Sequence, residues 1–304
     1  MDPLEAFALL KHKLAEFLAG DSEWLIHRGD CHDVLAELPN GVIPLTVSSP
    51  PYFIGKSYDR SKKLADFQRE HQLLAPQLSR ITRDGGSLCW QVGNHVEENA
   101  VTPLDFAAHE IFSKEPDLTL RNRIIWHFGH GVHATRRFSG RHEAVLWYSK
   151  GDDYLFNLDP VRVPQKYPGK RHYKGPKQGQ YSGHPAGKNP SDVWEIPNVN
   201  ANHVEKTAHP CQFPVALAER LILALSEPGD IIFDPFTGSA STGIAALRTG
   251  RRFLGAEVCE SYCTIADARY ADYRTKALKV RPLDKEIWAP SATDAVARKP
   301  AHFL

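Results

Sequence analysis

The sequence predicts an α/β fold in which a mostly parallel sheet is covered by helices on both faces. Two observations carry this. Short apolar runs alternate with stretches of helical periodicity through most of the chain. Near the carboxy-terminal end, Ile231 to Glu257 reads as a compact strand–turn–helix–strand unit, the building block of parallel sheets. Composition agrees: 304 residues, 42 % hydrophobic and 24 % charged, suit one large globular core. No run approaches the ~20 apolar residues of a membrane-spanning helix, so no membrane partner is expected.

The elements follow in order. The first twenty residues carry Glu5, Lys11, Lys13 and Glu16 and lack the apolar core of a signal peptide. Leu4, Phe7, Leu10, Leu14, Phe17 and Leu18 recur at helical spacing, which predicts an amphipathic helix packed on the domain. Residues 24–29 and 42–48 read as strands ending at Asp30 and Ser49. Pro44 near the start of the second lacks a ladder donor, so an edge position or the first strand residue is expected for it. Phe67 to Arg80 reads as a helix, Asp84-Gly85-Gly86 as a turn, Ser87 to Val92 as a strand and Thr102 to Phe112 as a helix. Arg123 to Phe128 and Ala144 to Tyr148 look like strands joined by a polar loop, Gly129 to His142. Gln212 to Leu225 is a helix entered through Pro210, and Lys276 to Leu304 is a charged, sparsely apolar tail.

Charge is uneven although the net value is only +1. Between Asp159 and Asp192 there is no acid, while Arg162, Lys166, Lys170, Arg171, Lys174, Lys177 and Lys188 alternate with Tyr167, Tyr173 and Tyr181. Glycine and proline keep this stretch out of long helices and regular strands. Basic loops of this kind replace phosphate counterions and track a nucleic-acid backbone. Arg136, Arg137 and Arg141 add a second basic loop, suited to phosphates or to guanine. The five cysteines are odd in number and scattered, and His127, His130 and His133 match no ligand spacing, so reduced thiols and no metal are expected.

Two loops carry chemistry. Ser49-Pro50-Pro51-Tyr52 leaves a strand through two prolines that cannot continue it, giving a stiff loop with a hydroxyl acceptor, an unpaired Pro50 carbonyl and an aromatic face. Such groups suit gripping a planar base by its amino group. Asp234-Pro235-Phe236-Thr237-Gly238-Ser239 turns a strand into a helix, with Glu257 about 20 residues on, where an acid holds ribose hydroxyls. There is no phosphate-loop lysine and no third glycine of a dinucleotide fingerprint, and Asp234 at the mouth would repel a phosphate. A cationic or zwitterionic nucleoside fits better, S-adenosylmethionine among them.

Taken together, these motifs resemble those of the amino-group DNA methyltransferases, in the group whose acceptor motif precedes its cofactor motif. The likeness runs from about Leu25 to Tyr270. It includes Leu25-Ile26-His27-Arg28-Gly29-Asp30-Cys31, Asp84-Gly85-Gly86-Ser87-Leu88 and His209-Pro210-Cys211-Gln212-Phe213-Pro214 followed by Glu219-Arg220-Leu221-Ile222. The resemblance implies an S-adenosylmethionine-dependent, Rossmann-like sheet of seven strands with permuted motif order, and adjacency of the two strands that end at Ser49 and Asp234. It implies one catalytic domain over 1–304 with a target-recognition insertion at about 129–200. Ser49, Pro50, Pro51 and Tyr52 would be catalytic. Asp30, Cys31, Gln212, Pro214, Asp234, Pro235, Phe236, Gly238, Ser239 and Glu257 would hold S-adenosylmethionine. Phe53, Arg136, Arg137, Arg141, Lys166, Lys170, Arg171, Lys174 and Lys177 would meet double-stranded DNA.

The implied reaction moves a methyl group to the exocyclic amine of a flipped base. Ser at the first motif position favours cytosine N4 over adenine N6. An RNA base methyltransferase and a non-catalytic DNA-binding module are the alternatives. A restriction–modification context would bring a cognate endonuclease as partner, with the enzyme a cytoplasmic, nucleoid-associated monomer or homodimer. Three departures from the family pattern stand out: Ala240 where a second glycine is common, Phe213 in place of a basic residue, and Pro44 in place of an acid.

Overall fold

The computed structural model describes residues 3–52, 63–131, 133–291 and 293–298. Helix α1 (Pro3–Ala19) leads into β1 (Trp24–Arg28), α2 (Cys31–Glu37) and β2 (Ile43–Ser48). Then come α3 (Leu64–Ile81), β3 (Thr82–Val92), a small hairpin of β4 (Asn94–Glu97) and β5 (Ala100–Pro103), and α4 (Leu104–Phe112). Strands β6 (Leu118–His127), β7 (His142–Lys150) and β8 (Val193–Glu195) follow. The chain closes with α5 (Val215–Leu225), β9 (Ile231–Asp234), α6 (Ser241–Arg248), β10 (Arg252–Glu257) and α7 (Glu260–Arg274).

Eight strands make one sheet in the order β1-β10-β9-β2-β3-β7-β6-β8. The two pairings of β7 are antiparallel and the other five are parallel. The expected count was seven; the eighth is the three-residue β8, which adds to β6 in register Ile125↔Val193 and is too short to show a period of its own. The expected adjacency holds: β2 lies between β9 and β3, with Leu45 opposite Ile232.

Helices cover both faces. On one, Leu10, Leu14 and Phe17 of α1, Val34 and Leu35 of α2, Phe67, Leu74 and Leu78 of α3, and Leu104 and Ala108 of α4 pack with Trp90, Phe233 and Leu254. On the other, Val215, Leu217 and Leu221 of α5 and Ile244 of α6 pack with Leu45, Val47, Ile232 and Phe253. The alternation Ile231, Ile232, Phe233 thus sends successive side chains to opposite cores, as a strand buried on both faces requires.

Pro44 corrects its expectation. It is the second residue of a central strand, not an edge. A bulge accommodates it: pairing with β3 jumps from Ile43↔Thr82 to Leu45↔Ser87, and pairing with β9 begins only at Leu45. The predicted turn Asp84-Gly85-Gly86 is the other half of that bulge and lies inside β3. Gly85 has φ +75°, and a Cβ on Gly86 would sit 2.7 Å from the Pro44 carbonyl, so neither tolerates a side chain. The bulge also explains why Ile43 and Leu45, two residues apart, face opposite cores.

Strand directions sort the loops. Strands β2, β3, β6, β8, β9 and β10 end at one rim of the sheet, and antiparallel β7 begins there. The 129–141 loop therefore lies at that rim. The basic stretch leaves from the end of β7 and returns at the start of β8, so both its ends lie at the opposite rim. Within it the expectation of irregular backbone holds: turns, with isolated bridges Val163↔Lys188 and Arg171↔Tyr181.

Inside the first core, His71 takes the Trp90 indole N–H at 2.9 Å and gives its own Nδ1 proton to the Phe67 carbonyl at 2.7 Å. Burial lowers its pKa to about 4. The folded protein keeps this ring neutral while the unfolded chain protonates it near pH 6.5. The ring therefore costs stability as pH falls from 6.5 to 4, by about 3 kcal/mol. His71→Gln keeps an acceptor for Trp90 and removes the titration, so urea unfolding of the variant should lose less stability between pH 7 and pH 5 than the unsubstituted protein does.

Candidate active site

The rim shared by β2 and β9 opens into a cavity of about 820 Å³. Its floor is set by one bond: Ser48 Oγ donates to Asp234 Oδ1 at 2.6 Å, both residues fully buried. The same Asp234 oxygen accepts the Phe236 amide at 3.1 Å and so shapes the turn that follows β9. Burial raises the Asp234 pKa to about 6, against the pull of the Ser48 and Thr242 hydroxyls and the Phe236 amide. Its other oxygen, Oδ2, is buried without a hydrogen-bond partner among the described residues. Asp234 is therefore not at the mouth, as the sequence suggested; it is fully buried and does not line the cavity, whereas Pro235 and Phe236, which follow it, do.

Two acids frame the near side. Glu257 accepts the Gly238 amide at 2.8 Å on Oε2 and the Cys259 amide at 2.8 Å on Oε1. Burial raises its pKa, while those amides pull it down. Gly238 has φ +52°, and a Cβ there would lie 3.0 Å from His209 Nε2, so glycine is required by both backbone and space. Asp30 caps α2 by accepting the His32 amide at 3.0 Å, with Cys31 buried behind it and its thiol held protonated by burial. Asp30, Cys31 and His32 lie close enough to share an ion, and one Asp30 oxygen already accepts the His32 amide.

The far side is the acceptor loop. Ser49 Oγ lies 3.3 Å from Tyr52 Oη. Gln91 Nε2 donates to Tyr52 Oη at 2.9 Å, and Tyr52 Oη donates to Glu143 Oε2 at 3.3 Å. Trp126 and Phe128, at the end of β6, add aromatic wall.

A family model described as DNA methylase, of the N6/N4 methyltransferase type, matches residues 43–268, which contain both loops and most of this cavity. The chain belongs to the DNA methylase family. It is 43 % identical to Type II methyltransferase M.BglII of Bacillus subtilis, over 79 % of this chain and 67 % of that one. To DNA adenine methyltransferase YhdJ of Escherichia coli K12 it is 30 % identical, over 80 % of each chain. The PvuII cytosine-N4-specific DNA methyltransferase shares the fold, with TM-score 0.64, 20 % identity, and coverage of 80 % of this chain and 84 % of that one. The Thermus thermophilus protein TTHA0409, solved with S-adenosyl-L-methionine, has TM-score 0.58 and 28 % identity, covering 81 % and 92 %.

In this DNA methylase the cavity brings together Ser49, Pro50, Pro51, Tyr52, Asp30, Cys31, Gln212, Pro235, Phe236, Gly238, Ser239 and Glu257. Pro214 is not among the lining residues and instead starts α5. Gln212 lines the wall, but its amide is engaged: Oε1 accepts from Thr207 and Nε2 donates to the Glu205 carbonyl. It acts as a strut for the wall. Phe53 lies outside the described residues.

None of the described DNA candidates is among the residues lining the cavity. Arg136 is exposed; Arg137 and Arg141 are half-buried and donate to the neighbouring carbonyls of Phe138 and Gly140. Asn198 on the cavity wall ties this loop down through the His130 carbonyl at 3.3 Å. Lys166, Lys170, Arg171, Lys174 and Lys177 are exposed, with Arg171 stacked on Tyr181 at 3.9 Å.

Sequence reasoning missed Gln91, Glu143 and His209. The first two sit at strand ends whose relative direction decides whether they meet, and no local pattern encodes that. His209 lies within a quoted motif, yet its edge-on contact with Tyr262 at 4.3 Å and its pKa, lowered by burial to about 4, come from packing against α7.

Ser48→Ala deletes the buried donor to Asp234. Urea unfolding at pH 7 should show a loss of about 1–3 kcal/mol; an unchanged midpoint would mean the bond does not tie β2 to β9.

Proposed function

We propose that this protein is a site-specific DNA methyltransferase that moves a methyl group from S-adenosylmethionine to an exocyclic base amine, cytosine N4 in first place. The observation that carries the reading is one cavity lined by both the Ser-Pro-Pro-Tyr loop and the turn after β9. The acceptor motif precedes the cofactor motif along the chain, as in the group the sequence resembles.

The residues suit the cofactor. Glu257 offers lone pairs to ribose hydroxyls, Asp30 an oxygen to the adenine amine, and Phe236 an apolar face. The unpartnered Asp234 Oδ2 supplies negative potential under the turn, matching an ammonium or a sulfonium. Bound there, S-adenosylmethionine supplies an electrophilic methyl carbon: the amine lone pair forms the new N–C bond as the C–S pair returns to sulfur.

The chain's own groups do the positioning. Ser49 Oγ and the Pro50 carbonyl accept the amine's N–H groups, which turns its lone pair out of the ring plane. Tyr52 gives the base a wall to stack on. Orientation at near-attack distance supplies much of the rate, so no covalent enzyme intermediate is needed. A duplex hides the amine, so the base must leave the stack. In this reading, residues 129–200 form the recognition insertion of a single catalytic domain. Arg136, Arg137 and Arg141 at the cavity rim meet DNA beside the flipped base, and the Lys166–Lys177 stretch tracks phosphates. The Type II designation of M.BglII supports a restriction–modification role with a partner endonuclease.

Adenine N6 is the second reading, favoured by the name of YhdJ. A serine hydroxyl accepts from either amine, so chemistry alone leaves both open. Incubating duplex DNA with methyl-labelled S-adenosylmethionine and separating the nucleosides decides between them. Label is expected in N4-methylcytosine; label in N6-methyladenine establishes the second reading, and label in neither ends the proposal.

Ser49→Ala should lower kcat by about 100-fold or more and leave cofactor affinity by calorimetry unchanged. Weakened cofactor binding with kcat intact would contradict the assigned role.

A further inference from the structure

Four polar side chains from three elements meet at the acceptor end of the cavity: Ser49 and Tyr52 from the loop after β2, Gln91 near the end of β3, and Glu143 near the start of β7. Their bonds have one direction. Gln91 Nε2 can only donate, and it does so to both Tyr52 Oη, at 2.9 Å, and the Glu143 carboxylate. A carboxylate can only accept, so the Tyr52 proton points to Glu143 Oε2. The Tyr52 oxygen, having given its proton away, accepts the Ser49 O–H at 3.3 Å. Ser49 is thereby left with lone pairs, and no proton, for the cavity.

We propose that Glu143 is the positioning residue that turns Ser49 into an acceptor and receives, through Tyr52, the proton given up by the methylated amine. The inference rests on the amine-methylation reading. After methyl transfer the nitrogen carries one proton too many and a positive charge. Its N–H bond breaks with the pair kept on nitrogen. That proton passes to Ser49 Oγ as Ser49 passes its own to Tyr52 Oη and Tyr52 passes its own to Glu143. Charge on nitrogen and carboxylate cancel, Ser49 and Tyr52 end as they began, and Glu143 later returns the proton to water. No oxidant, reductant or further reactant is needed.

The chemistry explains why such a group is wanted. A neutral hydroxyl is a poor base, so a loop that begins with serine cannot keep the proton; a carboxylate two hydrogen bonds away can. Surroundings fit the task. Among the described residues no Lys, Arg or His pairs with Glu143. From the loop after β2 it faces Tyr52, from β3 Gln91 and from β6 Trp126, its register partner, while Cys211 ahead of α5 faces it only across Tyr52. Gly93 leaves the room: a Cβ there would lie 2.9 Å from Glu143 Oε1 and 3.1 Å from the Tyr52 ring. Burial raises the Glu143 carboxyl, moderated by Gln91 and Tyr52, and burial together with Glu143 holds the Tyr52 phenol protonated.

The test is steady-state methylation of duplex DNA across pH, with cofactor affinity measured by calorimetry, for the unsubstituted enzyme, Glu143→Gln, Tyr52→Phe and the double variant. Glu143→Gln is expected to lower kcat by about 100-fold, keep cofactor affinity, and lose the acid limb of the kcat–pH profile that ionisation of Glu143 gives the unsubstituted enzyme. Tyr52→Phe, which keeps the ring and the wall, is expected to match that loss, with the double variant no worse than either single one. Unchanged kcat and pH profile in either single variant overturns the proposal, as does a fall in activity accounted for by lost cofactor affinity. These outcomes differ from failure of the underlying reading, in which the unsubstituted enzyme itself methylates no base amine.

Discussion

The 2.6 Å bond between Ser48 and Asp234 is the contact on which the rest of the site depends. It joins the last residues of two neighbouring parallel strands, and each residue is followed at once by a functional loop. Through Asp234 the same bond reaches the Phe236 amide and fixes the turn that Glu257 grips from the other side through Gly238. A hydroxyl–carboxylate bond in an apolar interior is strong and directional. It therefore sets the spacing of two loops that lie far apart in the sequence.

The bulge at Pro44 shapes the start of the same strand. The jump from Ile43↔Thr82 to Leu45↔Ser87 puts Ile43 and Leu45 on opposite faces, while Leu45 and Thr46 keep their pairing with β9. Proline in a central strand thus serves register: it denies the ladder a donor where the ladder must skip. Gly85 and Gly86 supply the matching slack in β3. Ala240 shows a related accommodation, holding a left-handed φ of +60° at the start of α6 where a glycine would sit without strain.

Much of this was legible in the sequence. Strands of Val, Ile and Leu, helices with buried residues such as Phe67, His71, Leu74 and Leu78, and the turn after Asp234 have local signatures, and they appear within a few residues of where periodicity puts them. The adjacency of β2 and β9 came from family likeness, since nothing local encodes it. What stayed hidden depends on three dimensions. Asp234 reads as an acid at the mouth until the folded chain is seen to bury it completely. Gln212 reads as a ligand until Thr207 and Glu205 are seen to occupy both ends of its amide. Glu143 joins the acceptor loop only because β7 runs against its neighbours and so starts where they stop.

Strand direction also bears on how such proteins diversify. The stretch between β7 and β8 starts and finishes on strands that both neighbour β6, at the rim remote from the cavity. Doubling the length of a flexible connection of this kind costs only about 0.6 kcal/mol in closure entropy. A change in its length accordingly leaves the pairing of β2 with β9 untouched, so the connection and the strands that frame the cavity are energetically almost independent.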